Sequence, residues 1–169
     1  EEGGVVVGAR LSQGEAEREL LCGWVGLTGG AAPQARLAAG MSQRHTPSGV
    51  ALRGYLKNDA MRSRIDKLEV VWHRAVSPGY GWIFPCRDGI YNIGVGIVDS
   101  HSEQRNGKRA KKEVNLREVF DAFTRIYPPA RELVQGGHWV SPLKGAPLRC
   151  TLEGARWSRP GLLVTGEAA

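Results

Sequence analysis

No apolar run in this chain approaches the ~20 residues that a bilayer-spanning helix needs, so no segment reads as transmembrane. Cysteine is scarce. Cys22, Cys86 and Cys150 are odd in number and far apart, which argues for free thiols in a reducing, cytoplasmic setting and against a disulfide framework. The four histidines, His45, His73, His101 and His138, show no metal-ligand spacing, so no metal site is expected. Four nucleotide-binding and hydrolytic signatures are also missing. There is no Gly-x-Gly-x-x-Gly loop, P-loop, Gly-x-Ser-x-Gly elbow or His-Glu-x-x-His pair. Gly94-Val95-Gly96 lacks the third glycine and sits within a strand pattern, so the chain does not hold a dinucleotide pyrophosphate in the usual way.

What is present is ordinary globular material. The 169 residues are one domain's worth of chain, with 41% hydrophobic and 24% charged side chains. Much of the +6 net charge comes from one run, Arg105, Lys108, Arg109, Lys111 and Lys112. That run surrounds Asn106-Gly107 and has no interleaved stacking aromatics, so residues 101–112 are expected to be a solvated loop. No nucleic-acid partner is expected, and a non-enzymatic basic binding module is kept only as an alternative. The chain opens on glutamate and closes on Gly-Glu-Ala-Ala directly after an apolar run, which is expected of an internal piece of a longer protein.

In chain order, residues 4–9 read as a short buried strand and residues 19–25 as a second apolar run. Residues 33–39 have helix chemistry, with Pro33 in the first turn and Gly40 at the stop. Strands are expected over 50–56 and 68–76. Asn115 reads as an N-cap with Glu118 as its capping-box partner, opening an amphipathic helix through Tyr127. Pro128-Pro129 should end it, with a short helix over 130–134. Residues 138–148 look like an extended return and 161–165 like a last buried strand. The expected class is α+β, a mostly antiparallel sheet of four to six strands covered by helices.

The centre of the chain is residues 78–96, two strands joined by a turn at Asp88-Gly89, where glycine supplies positive φ without strain. Period-2 alternation puts Tyr80, Trp82 and Phe84 on one face, with Gly81 and Ile83 behind. Gly94 and Gly96 share a face with Asn92. Glycine weakens a strand unless something approaches closely there. The aromatics can be core, or one wall of a surface for an elongated apolar ligand. A two-residue turn sets them opposite Ile93 and Val95, and a three-residue turn sets them opposite the glycines.

Tyr80, Trp82, Phe84, Pro85, Gly94 and Gly96 resemble the Tyr-x-Trp-x-Phe-Pro, eight-residue gap, Gly-x-Gly motif of the geranylgeranyl reductase family of flavoproteins. That family lies within the p-hydroxybenzoate hydroxylase-like group. Residues 159–169 are similar to the family's second flavin-binding segment. The resemblance implies a substrate domain over residues 41–148, flanked by parts of an FAD-binding domain at 1–40 and 149–169. It implies FAD as cofactor in the longer protein, though not held by this piece alone, and reduction of carbon–carbon double bonds in an isoprenoid or other apolar substrate. Tyr80, Trp82, Phe84, Pro85, Gly94 and Gly96 would bind substrate, and Gly166, Glu167 and Ala168 would contact FAD. Gly23-Trp24-Val25-Gly26 aligns with a turn in which the family carries aspartate, so Val25 takes no cofactor role. No general acid is assigned. An aromatic hydroxylase or halogenase on the same scaffold is the nearer alternative. Peripheral membrane association and oligomeric state are left open.

Overall fold

The computed structural model describes residues 1–43, 47–98, 101–103, 109–111, 114–150 and 154–169. It divides into two compact units, Glu1–Pro47 with Thr151–Ala169, and Ser48–Cys150.

The first unit begins with a hairpin of β1 (Gly8–Gln13) and β2 (Ala16–Leu21), turning at Gly14 with φ of 63°. Both strands are exposed almost throughout, and Arg10 faces Glu19 across them in an ion pair of 2.6 Å. The buried strand expected over 4–9 is therefore not found. Among its apolar residues Val6 is buried, while the ladder starts at Gly8 and carries polar side chains on both strands. β3 (Val25–Leu27) follows, then α1 (Gln34–Ala38), opened at Pro33 and closed before Gly40 at φ of 66°.

The second unit is built on β4 (Gly49–Lys57), β5 (Glu69–Val71), β6 (Gly79–Pro85) and β7 (Ile90–Val98). β8 (His101–Glu103) and β9 (Arg109–Lys111) form a separate antiparallel pair, so these parts of the basic run are not loop. Residues 104–108 and 112–113 lie outside the described residues. Then come α2 (Leu116–Ile126), α3 (Pro128–Gly136) and β10 (His138–Leu148). The five-stranded sheet runs β10-β4-β7-β6-β5, antiparallel at every pairing, as the alternating patterns predict.

β5 is shorter than the strand expected over 68–76. The His73 Nδ1 accepts the Ala75 N–H at 3.1 Å and starts a 3-10 turn at Arg74–Val76, a side-chain bond that competes with the ladder. On α2, Asn115 caps as predicted by accepting the Arg117 N–H at 3.0 Å. Glu118 meets the Asn115 side chain rather than its backbone, at 3.1 Å. The two prolines occupy the first turn of α3 instead of merely stopping α2, and Tyr127 between the helices is extended.

Together the helices cover one face of the sheet. Leu52, Leu56, Ile83, Ile93 and Val95 meet Phe120, Phe123, Ala130 and Leu133 in one core. Gly81 is part of that fit, because a Cβ there would lie 2.6 Å from Cγ and Cε2 of Phe123. Tyr127 Oη donates to Glu69 on β5 at 3.0 Å.

The chain then returns to the first unit through β11 (Ser158–Arg159) and β12 (Leu162–Val164). β12 pairs antiparallel with β11 and parallel with β3. Val6, Met41, Leu162, Val164 and Ala168 form that unit's core.

Two outcomes are expected. Gly81→Ala overpacks the Phe123 ring, which is fully buried, and should destabilise by ~1–3 kcal/mol, read as a lower urea midpoint at constant slope. The Tyr127 hydroxyl is held above the ordinary tyrosine range, first by burial and then by its bond to Glu69. Its contribution is therefore complete below pH ~10 and is lost as pH rises beyond that. Tyr127→Phe should cost about 1 kcal/mol at neutral pH and flatten the alkaline fall in stability, measured by urea unfolding across pH 8 to 11.

Candidate functional site

Alternation on β6 sends Gly81 and Ile83 to the helices and Tyr80, Trp82 and Phe84 to the opposite face of the sheet. The register decides what lies beside them. Tyr80 pairs with Gly96, Trp82 with Gly94 and Phe84 with Asn92. Three residues, Arg87–Gly89, turn between Cys86 and Ile90, whose backbones bond at 2.7 Å. Asp88 and Gly89 carry positive φ of 57° and 69°, as the Asp-Gly pair predicts. The three-residue turn is the one the protein uses.

The rings fill the strip that the glycines clear. A Cβ on Gly94 would run into the Trp82 indole and sit 2.6 Å from the Leu52 carbonyl oxygen and 2.8 Å from Arg53 Cβ. At Gly96 it would meet Tyr80 and Trp82 at 3.4 to 3.5 Å, an ordinary contact. Trp82 Nε1–H donates to Asn92 Oδ1 at 2.9 Å, which fixes the ring along the strand. Trp72, Tyr80, Trp82 and Phe84 then follow one another with centroid steps of 5.9, 5.7 and 6.0 Å, all tilted. These are favourable ring-pair separations. Trp82 is buried, Tyr80 and Phe84 are half-buried, and Trp72 is 72% exposed.

On the same face Arg53 pairs with Gly94, and its guanidinium lies 5.1 Å from the Tyr55 ring centroid. Beyond Tyr80 the wall opens into a groove of about 590 Å³, lined among others by Trp72, Pro78 and Val98. Pro85 belongs elsewhere. It shares the parity of Gly81 and Ile83 and lines a smaller pocket of about 170 Å³ with Arg62, Cys86 and Tyr91. Cys86 is exposed there, its thiol 3.7 Å from the Phe84 carbonyl oxygen. Burial raises the Tyr91 hydroxyl above its ordinary range, against the opposing charge of Arg62.

In the other unit, Gly166, Glu167 and Ala168 form a 3-10 turn at the carboxyl end of β12. The Thr165 N–H bonds to the Leu27 carbonyl at 3.1 Å, so the carboxyl ends of parallel β3 and β12 lie side by side. Such ends are the usual place for ligands in parallel sheets. Gly166 has φ of 63° with open space about its Cα, and Glu167 is exposed. The Ala168 methyl is in the core and its carbonyl accepts from buried Arg36 at 3.0 Å. Val25 lies within β3, paired with Leu162, and the turn that follows is at Gly30 and Ala31, with Gly30 at φ of 70°. Among the described residues no cluster of His, Cys, Asp or Glu is set to hold a metal, and no helix is long and apolar enough to cross a membrane.

Asn92, Trp72 and Arg53 were not singled out from sequence. Asn92 shares the face of Gly94 and Gly96, which was its available signal; the others depend on pairing across strands.

Gly94→Ala should displace Trp82 and destabilise the sheet by ~1–3 kcal/mol, whereas Gly96→Ala should fall within about 0.5 kcal/mol of wild type. Urea unfolding with near-ultraviolet circular dichroism of the indole separates the two.

Residues 51–128 match the model of the geranylgeranyl reductase catalytic domain. Over 103 residues the chain is 38% identical to a menaquinone reductase of Mycobacterium tuberculosis, covering 58% of this chain and 23% of that protein. The chain thus spans about a quarter of that relative's length. By fold it is similar to a geranylgeranyl bacteriochlorophyll reductase-like protein from Thermoplasma acidophilum, with a TM-score of 0.71 at 21% identity over all of this chain and 40% of that one. The flavin-dependent brominase Bmp2 shares the fold at a TM-score of 0.66 and 13% identity, over 99% of this chain and 41% of that one. The hairpin with its aromatic wall falls inside the segment that matches the geranylgeranyl reductase catalytic domain, and the chain is similar to that family in this segment and in fold.

Proposed function

We propose that the protein containing this chain reduces carbon–carbon double bonds of an isoprenoid chain, using FAD. The observation that carries the reading is the aromatic wall on the sheet face away from the helices, within the segment matched to the catalytic domain. When bound and reduced, FAD supplies the hydride. The chain's own part is to bind and orient an apolar substrate. The ring faces of Tyr80, Trp82 and Phe84 offer it an apolar surface, and Gly94 and Gly96 seat those rings. Pro85 ends β6, ahead of the Arg87–Gly89 turn. The Ser48–Cys150 unit is the substrate-binding part, and the remaining unit belongs to the FAD-binding domain, with Gly166, Glu167 and Ala168 beside the cofactor.

Aromatic hydroxylation or halogenation is the second reading, favoured by the fold shared with flavin-dependent halogenases. Incubating the flavin-loaded enzyme with an isoprenoid and with a phenolic substrate distinguishes them. A saturated product supports the proposal, and an oxygenated or halogenated aromatic overturns it.

Trp82→Ala tests the wall directly. Truncating a fully buried tryptophan costs ~3–5 kcal/mol, and a ring with one side toward substrate should cost the lower figure or less. Misplacing the alkene by about 1 Å can cost on the order of 10²-fold in rate. Stability and turnover are measured on the same variant. Full core destabilisation with normal turnover per folded molecule would make Trp82 a core residue only.

A further inference from the structure

The wall does not stop where the Tyr-x-Trp-x-Phe-Pro pattern stops. Trp72, one residue past β5, stands 5.9 Å from Tyr80, and that step matches the 5.7 and 6.0 Å steps within the pattern. Its tilt of 39° lies between theirs, 44° and 30°. Yet Trp72 is 72% exposed and takes no part in the core that buries the other face of the sheet. Packing therefore does not explain it. The backbone around it is held, because the adjacent His73 accepts the Ala75 N–H and fixes the 3-10 turn that follows. Trp72 also lines the groove of about 590 Å³, with Arg74, Ser77, Pro78, Tyr80 and Val98. A narrow strip of rings running into an open groove suits a long, flexible apolar chain. A flat protein surface or a bilayer would not fill the groove.

We propose that Trp72 is a specificity-determining residue that binds the distal part of the isoprenoid and sets the preference for longer chains. The proposal rests on the reading of the wall as the isoprenoid surface, and it adds a residue outside the motif. An isoprenoid short enough to end at Tyr80 leaves Trp72 in water. A longer one covers it and removes that apolar area from solvent.

The test compares two isoprenoids with the same head group, one short and one long, on the flavin-loaded enzyme carrying Trp72→Ala or Trp72→Phe. Trp72→Ala should lower the long-to-short ratio of kcat/KM by about tenfold or more, carried by KM for the long substrate. Trp72→Phe, which keeps an aromatic ring, should retain most of the ratio. An unmoved ratio, or an equal fall in kcat for both substrates, overturns the proposal. So does a Trp72→Ala enzyme that loses binding to neutral phospholipid vesicles, or loses self-association, while the ratio holds; the groove would then serve a membrane or a second copy. A wild-type enzyme that reduces neither isoprenoid instead removes the isoprenoid reading itself, and the proposal falls with it.

Discussion

The seat of Trp82 on Gly94 is the constraint from which the rest of the second unit follows. The Trp82 indole occupies the space that a Cβ on Gly94 would need, with the Leu52 carbonyl and Arg53 close by on the other side. The pairing of Trp82 with Gly94 then fixes Tyr80 against Gly96 and Phe84 against Asn92. Any slip by one residue would push the rings against Ile93 and Val95 and turn the apolar face of β7 away from the helices. The turn at Arg87–Gly89 serves this register, and the Asn92 side chain locks the indole within it.

β6 is crowded by rings on both sides, and glycine makes this workable each time. Gly81 admits Phe123 of α2 on one face, and Gly94 admits Trp82 on the other. Glycine within a strand ordinarily costs stability. Here each is offset by a large aromatic that could not otherwise pack, and the ring is the better part of the exchange because it buries far more area. The two sides still differ in kind. Phe123 is fully buried in the core and stacked on Tyr127, whereas the opposite row grades from buried Trp82 to exposed Trp72.

Much of this was legible in the residues. The antiparallel pattern, the Asn115 cap, the positive φ at Asp88-Gly89 and the three-ring face all follow from local chemistry. The length of the turn was not legible, because an Asp-Gly pair suits loops of two or three residues; the demand of the Trp82 ring for a glycine beside it makes the choice. The long strand expected over 68–76 failed at His73, whose side chain takes a backbone N–H that the alternation alone cannot reveal. The valines of residues 4–9 looked buried by composition, yet all three precede a hairpin whose Arg10–Glu19 pair faces water, and of them Val6 is buried. The roles of Trp72 and Asn92 were not read from their places on a strand face, because the rings they meet, Tyr80 and Trp82, come from another strand.

The distribution of exposure along the aromatic row supports the proposed function. A row meant only to stabilise would bury its largest rings at both ends, since each gains most from leaving water. This row buries the middle and leaves the end toward the groove open, with Leu68 and Val70 also exposed on that side of β5. Apolar surface left contiguous and unburied marks a binding region more often than a packing fault. The buried middle keeps the wall rigid through Asn92 and Gly94, and the open end keeps it accessible. Rigidity in one part and access in the next are what an enzyme needs to hold a flexible apolar chain in one position relative to its reacting bond.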